Sequence, residues 1–205
     1  MNIKQEKLAI DIALIPPQNI IDLAKQYNLS INSQNPDGIM LDETHLPHVT
    51  LVQLFIDTNK LTLLNQAIEN TLKDFKPISL KINNIDSLML SDGKEASYFL
   101  FENIAQIQAM HETLMEVSKP FAVNGDGKSF VSDPGEQILS SSVDWATNFR
   151  EKASGPNFEA HITLGIGYKP NLEKEVEFII DRLTVCHLGN FNTCRKILKE
   201  WRFIK

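Results

Sequence analysis

The spacing of apolar positions along the chain switches repeatedly between two periods. From Leu8 to Ile15 the run "LAIDIALI" predicts a β-strand halted by Pro16 and Pro17, after which Ile20, Ile21, Leu23, Ala24 and Tyr27 fall at helical spacing. His48 to Ile56 reads as a second strand, and Leu61, Leu64, Ile68, Leu72 and Phe75 as a second helical stripe. "ISLKINNIDSLML" and "SYFLF" predict two strands joined by a turn at Ser91-Asp92-Gly93-Lys94, with Ile104, Ile107, Met110, Leu114 and Val117 marking a third helix. Phe121 to Asn157 is rich in turn formers, including "NGDGKS" and "SDPGE", and predicts a long connection with a short helix around Val143 to Arg150. Phe158 to Tyr168 is again strand-like and closed by Pro170. Asn171 then predicts a helix cap, with Glu173 and Glu175 in the first turn and Leu172, Val176, Ile179 and Ile180 facing inward. "LTVCHLG" and "RKILKEWRFI", separated by "NFNT", predict a terminal hairpin.

Composition narrows the class. With 205 residues, 42% hydrophobic and 22% charged, the chain fits a single domain or two-lobed unit with a real core. Nowhere do about eighteen apolar residues run together, and the N-terminal segment lacks a signal-peptide cleavage pattern. The expectation is a cytoplasmic protein with no membrane partner. A net charge of −6 denies it the broad basic surface that long duplex nucleic acid needs, although local charge can still hold a small anion. Two cysteines, Cys186 and Cys194, are too few for a disulfide framework or a four-ligand zinc site, and they are expected as reduced thiols. Nothing in the charge pattern demands an oligomer, so a monomer is expected.

The candidate chemistry lies in a repeat. "HVTL" begins at His48 and "HITL" at His161, each at the head of an apolar strand. Residues i and i+2 of a strand share a face, so His48 stands beside Thr50 and His161 beside Thr163, while Val49, Leu51, Ile162 and Leu164 point into whatever packs behind. One imidazole can take a proton while a second, in the other protonation state, gives one. Two threonine hydroxyls could hold a phosphate between them without adding charge. Gly165 and Gly167 fall on the His161 face by the same alternation and would leave room for a ligand. A single histidine at a strand start is usually structural, but two such motifs placed alike in two similar halves argue for shared chemistry.

Other residues carry weaker signals. Pro47 breaks any helix that would bring His45 and His48 together as metal ligands. Cys186, His187 and Cys194 lack a fourth ligand and read as hairpin residues. His111, beside a helical core stripe, reads as a surface residue, and "NGDGKS" as a flexible turn. Tyr98, Phe158 and Tyr168 read first as core or rim packing, with base stacking as the alternative. Lys94, Lys128 and Arg150 read as solvated charge.

The paired "HVTL" and "HITL" motifs, the strand-helix alternation and the terminal hairpin ending in "EWRFI" resemble the two-histidine phosphoesterase superfamily over nearly the whole chain, in particular its bacterial 2'-5' RNA ligase-like branch. The resemblance implies an α+β fold over residues 1–205, a single domain of two lobes related by pseudo-twofold symmetry, with antiparallel sheets lining a central cleft. It makes His48 and His161 the acid-base pair and Thr50 and Thr163 the phosphate-binding residues, with no metal and no cofactor. It implies a phosphodiesterase acting on a 2',3'-cyclic phosphate or 2'-5' linkage, the partner being a small nucleotide or short RNA. An RNA ligase or RNA-end processing enzyme, and a non-catalytic binding module with the same cleft, are the alternatives.

Overall fold

Why this chain builds two sheets follows from where its apolar strands find partners. The computed structural model describes residues 6–90 and 93–203, so Ser91 and Asp92 of the predicted turn, and Ile204 of the final strand, lie outside the described residues. In chain order the elements are β1 (Lys7–Ile15), α1 (Gln18–Asn32), β2 (Val49–Asp57), α2 (Leu61–Glu69), β3 (Ile78–Met89), β4 (Glu95–Glu102), α3 (Ala105–Ser118), the short β5 (Ala122–Val123), α4 (Ser140–Lys152), β6 (His161–Gly167), β7 (Val176–Ile180), β8 (Arg182–Leu188) and β9 (Cys194–Arg202). One sheet has the order β5-β2-β1-β8-β9 and the other β6-β4-β3-β7. Every neighbouring pair is antiparallel.

The pseudo-twofold relation is visible in these orders. Starting from the two motif strands, β2-β1-β8-β9 corresponds to β6-β4-β3-β7. The helices are exchanged between the lobes. α1 follows β1 of the first sheet but packs behind β6 of the second, where Ile31 lies against Gly165 and Gly167. α3 follows β4 of the second sheet but packs behind β2 of the first. Buried Ile20, Ala24 and Ile31 of α1 and Ile107, Met110 and Leu114 of α3 join the strands' inward residues in one core. Burial of each large side chain among them stabilises by about 1.5–3 kcal/mol.

Three expectations are corrected here. The stripe from Leu61 to Phe75 is not one helix: α2 ends at Glu69, Thr71 bonds back to the Ile68 carbonyl, and Leu72–Asp74 is a separate 3-10 turn. The helix expected after Asn171 is instead strand β7, in which Phe178 and Ile180 are buried, Glu177 is exposed and Ile179 points outward at 52% exposure. Its Val-Glu-Phe-Ile-Ile composition pairs with the free edge of β3 from Ile78↔Ile180 to Ile82↔Val176, and that ladder outweighs a cap and two glutamates.

The third correction concerns the cysteines, which form a disulfide, Cys186–Cys194, rather than remaining as thiols. Register shifts in the β8–β9 hairpin bring their Cα atoms to 5.6 Å, inside the range a disulfide needs. Two cysteines exclude a framework of bridges but not a single one. No helix among the described residues is long and apolar enough to cross a membrane.

Candidate active site

His48 immediately precedes β2 and His161 is the first residue of β6. Both motifs are followed by the same irregularity. The β1–β2 register jumps from Ala13↔Thr50 to Ile12↔Val52, and the β4–β6 register jumps from Tyr98↔Thr163 to Ser97↔Gly165. Leu51 and Leu164, the fourth residue of each motif, are therefore the extra residues of two β-bulges. Val49, Leu51, Ile162 and Leu164 are fully buried behind the sheets, as the alternation predicts. The half-buried histidines and threonines lie on the opposite face by that alternation, on the two strands, β2 and β6, through which the sheets meet.

The second bulge also corrects the reading of the glycines. Because Gly165 pairs with Ser97, whose side chain lies opposite to that of Tyr98, it points away from Thr163 and toward α1. A Cβ on Gly165 would lie 3.1 Å from both Asn28 Nδ2 and Ile31 Cγ2, so the space serves helix packing rather than a ligand.

Each bulge is held from behind by a polar side chain. Asn28 of α1 donates to the Leu164 carbonyl at 2.7 Å, and His111 of α3 donates through Nδ1 to the Leu51 carbonyl at 2.6 Å. His111 is thus fully buried, stacked on Phe158 with ring centres 3.9 Å apart, and not the surface residue expected. Its helical position lies on the same face as Ile107 and Leu114, and the bulge carbonyl supplies the partner that burial of an imidazole requires.

The two motif histidines are oriented alike. His48 Nδ1 lies 2.8 Å from the Leu46 carbonyl and His161 Nδ1 lies 2.8 Å from the Glu159 carbonyl, each two residues earlier. A carbonyl only accepts, so Nδ1 carries a hydrogen in both rings and Nε2 is left for chemistry. The rings sense each other, since charge on His48 acts on His161.

Around this symmetric pair the surroundings differ. Asp11, fully buried in the middle of β1, accepts from Thr50 Oγ1 at 2.7 Å and from Gln53 Nε2 at 2.9 Å, and the same oxygen lies 3.5 Å from His48 Nε2. On the other side Tyr98 tilts against His161 with ring centres 4.8 Å apart. Burial works against charge on His48, but the Asp11 carboxylate and the Leu46 carbonyl outweigh it and hold the imidazole above its ordinary value. Burial dominates at His161 and, with the charge on His48, pushes it below that value against the pull of Glu159 and Asp11. The Tyr98 hydroxyl is pushed up to about 12 by burial and by the charges of Glu159 and Asp86.

The other candidates sit elsewhere. His45 turns to Asp42 at 3.0 Å, and His187 donates from Nε2 to the Ser129 carbonyl at 2.8 Å. The Tyr168 hydroxyl meets Ser30 of α1 at 2.6 Å, which leaves Tyr98 as the one of the three aromatic candidates at the motif pair. Arg150 pairs with the Met115 carbonyl and Glu116, and Lys94 donates to Asn35 at 3.3 Å. The "NGDGKS" segment ends in a 3-10 turn, Gly127–Ser129, in which Asp126 accepts from the Lys128 amide. No three His, Cys, Asp or Glu side chains gather as a metal-ligand set among the described residues. The sequence reading misses Asp11 and Gln53. A signal exists for the first, since Asp11 is the one charged residue between Leu8 and Ile15 in an otherwise apolar strand.

Comparison with known proteins places this geometry. A crystal structure of TT0787 from Thermus thermophilus superposes with a TM-score of 0.62 at 12% identity, covering 96% of this chain and 98% of that one. Escherichia coli LigT complexed with 3'-AMP matches with a TM-score of 0.56 at 13% identity over 98% of this chain and 100% of that one. LigT complexed with ATP matches with a TM-score of 0.57 at 12% identity over 98% and 99%. At these identities the likeness is one of fold. No curated protein sequence matches the chain. The family model of the 2'-5' RNA ligase superfamily matches residues 30–189, a span that holds both motifs. The chain therefore belongs to the 2'-5' RNA ligase superfamily of two-histidine phosphoesterases.

Proposed function

We propose that the protein is a phosphodiesterase that needs no metal and hydrolyses a 2',3'-cyclic phosphate or a 2'-5' phosphodiester in a nucleotide or short oligonucleotide. The observation that carries this reading is the matched pair of imidazoles, each with Nδ1 bonded to a backbone carbonyl so that Nε2 is the atom turned to chemistry, at His48 beside the Asp11 carboxylate. One histidine takes a proton from water, the water attacks phosphorus in line with the departing ribose oxygen, and the other histidine protonates that oxygen. Atoms balance with the two rings exchanging protonation states, which solvent then restores.

Thr163 and Thr50 are the phosphate donors in this reading, though not equally. The Thr50 hydroxyl is engaged with Asp11 and must turn from it to reach a phosphate oxygen. The negative net charge and the nucleotides held by LigT crystals both favour a small substrate over a long RNA.

Purified protein assayed on 2',3'-cyclic nucleotides and 2'-5' dinucleotides with EDTA present tests the reading. Turnover is expected to survive chelator and to fall by about two to four orders of magnitude in His48→Ala and in His161→Ala, with the thermal unfolding midpoint little changed. Joining of RNA ends without hydrolysis would favour a ligase, and binding without product would favour a non-catalytic module.

A further inference from the structure

The pseudo-twofold relation assigns each cleft position of one lobe a counterpart in the other. Since Ala13↔Thr50 corresponds to Tyr98↔Thr163, and Ile12↔Val52 to Ser97↔Gly165, Asp11 of β1 corresponds to Ala96 of β4, and its partner Gln53 to Ile166. The symmetry that duplicates the histidines and bulges is thus broken by a buried carboxylate on the His48 side, with a methyl group in its place on the His161 side.

We propose that Asp11 is a positioning residue that fixes the polarity of the histidine pair, holding His48 as the proton donor to the leaving group and leaving His161 as the base toward water. This deepens the phosphodiesterase reading and rests on it for the direction of proton transfer. Three contacts of one oxygen support it. Asp11 Oδ2 is gripped by Thr50 and Gln53 and so kept on the His48 side, 3.5 Å from Nε2. The other oxygen is buried with no hydrogen-bond partner, which leaves the carboxylate's charge poorly compensated except by an imidazolium.

The groups that face this carboxylate are few. From β8 its neighbour is Cys186, which the disulfide prevents from titrating, and from β2 it is the neutral Gln53. Facing the two rings are Asp11, Glu159, the Tyr98 ring against His161, and the rings themselves. His48 is raised and His161 lowered in this environment, in the same sense as the contacts.

The test follows the imidazole carbon-bound protons of both histidines by NMR across pH, in wild type and in Asp11→Asn, beside the pH dependence of kcat/KM on a 2',3'-cyclic nucleotide. In wild type His48 is expected to titrate above His161. Asp11→Asn is expected to lower the His48 midpoint by about one to three pH units, to move His161 much less, and to shift the alkaline limb of the rate profile to lower pH while the acid limb stays. A His48 midpoint that does not move in a folded Asp11→Asn, or a shift confined to the acid limb, overturns the proposal. If Asp11→Asn does not fold, the order of the two wild-type midpoints decides. If no substrate turns over, the phosphodiesterase reading fails, and the titrations still show whether Asp11 sets the pair's polarity.

Discussion

His111 shows how one side chain joins the two motifs. It donates to the carbonyl of Leu51 in the first and stacks on Phe158, three residues ahead of the second. Its Nε2 is buried without a partner. His111→Leu is expected to cost about 1–3 kcal/mol in urea unfolding, because the Leu51 carbonyl loses its donor. The pH dependence has a definite sign. Burial lowers His111 below the ordinary 6.5, so its neutral form stabilises the folded chain above that value, and the contribution is lost as pH falls through it. His161 and His187 are lowered too and act in the same direction, whereas raised His48 contributes stability at low pH that is lost as pH rises through its folded value. Urea midpoints measured at about pH 7.5 and 5.5 are expected to fall toward acid, and to fall less in His111→Leu. The histidines, threonines and packing residues of both motifs are legible in the sequence because alternation alone places them. Asp11 and His111 are not, because their roles depend on partners far along the chain.

At the scale of elements, the bulges do what a regular strand could not. They let the motif histidines and threonines share one face while the glycines that follow in β6 turn to α1. Asn28 secures that junction with donations to the Ile39 and Leu164 carbonyls, both at 2.7 Å, and by accepting from the Leu41 amide at 2.8 Å. Asn28→Ala, which strands several buried backbone groups, is expected to lower stability by at least about 2 kcal/mol in chemical denaturation. Gly165→Ala is expected to destabilise as well, since its φ is +154° and the added methyl meets Ile31. Strands β1 to β4, β6, β8 and β9 and helices α1 and α3 are legible from their periods. β7 is not: "VEFII" is short, and only the open edge of β3 decides between helix and strand.

At the scale of the molecule, the disulfide closes the β8–β9 hairpin across a separation of 8 residues. Its removal by Cys186→Ser with Cys194→Ser is expected to cost about 2–3 kcal/mol through the freed loop. The loss extends to the site, because the Cys194 carbonyl accepts from the Leu46 amide and the Leu46 carbonyl in turn holds His48. A lower thermal midpoint together with reduced turnover in the double variant would show that coupling. Reduced, alkylated wild-type protein should behave alike.

The placement of β1 between β2 and β8 has a further consequence, for the chain as it is made. Strand β1 acquires one neighbour when β2 emerges and the other only after β3 to β7 have all been made and β8 follows. Until then one edge of a strand whose residues from Ala9 to Ile15 are all buried in the finished protein stands open. The emergence of β8, rather than any step local to β1 and β2, therefore sets the moment at which the strand beside the first motif is closed on both edges.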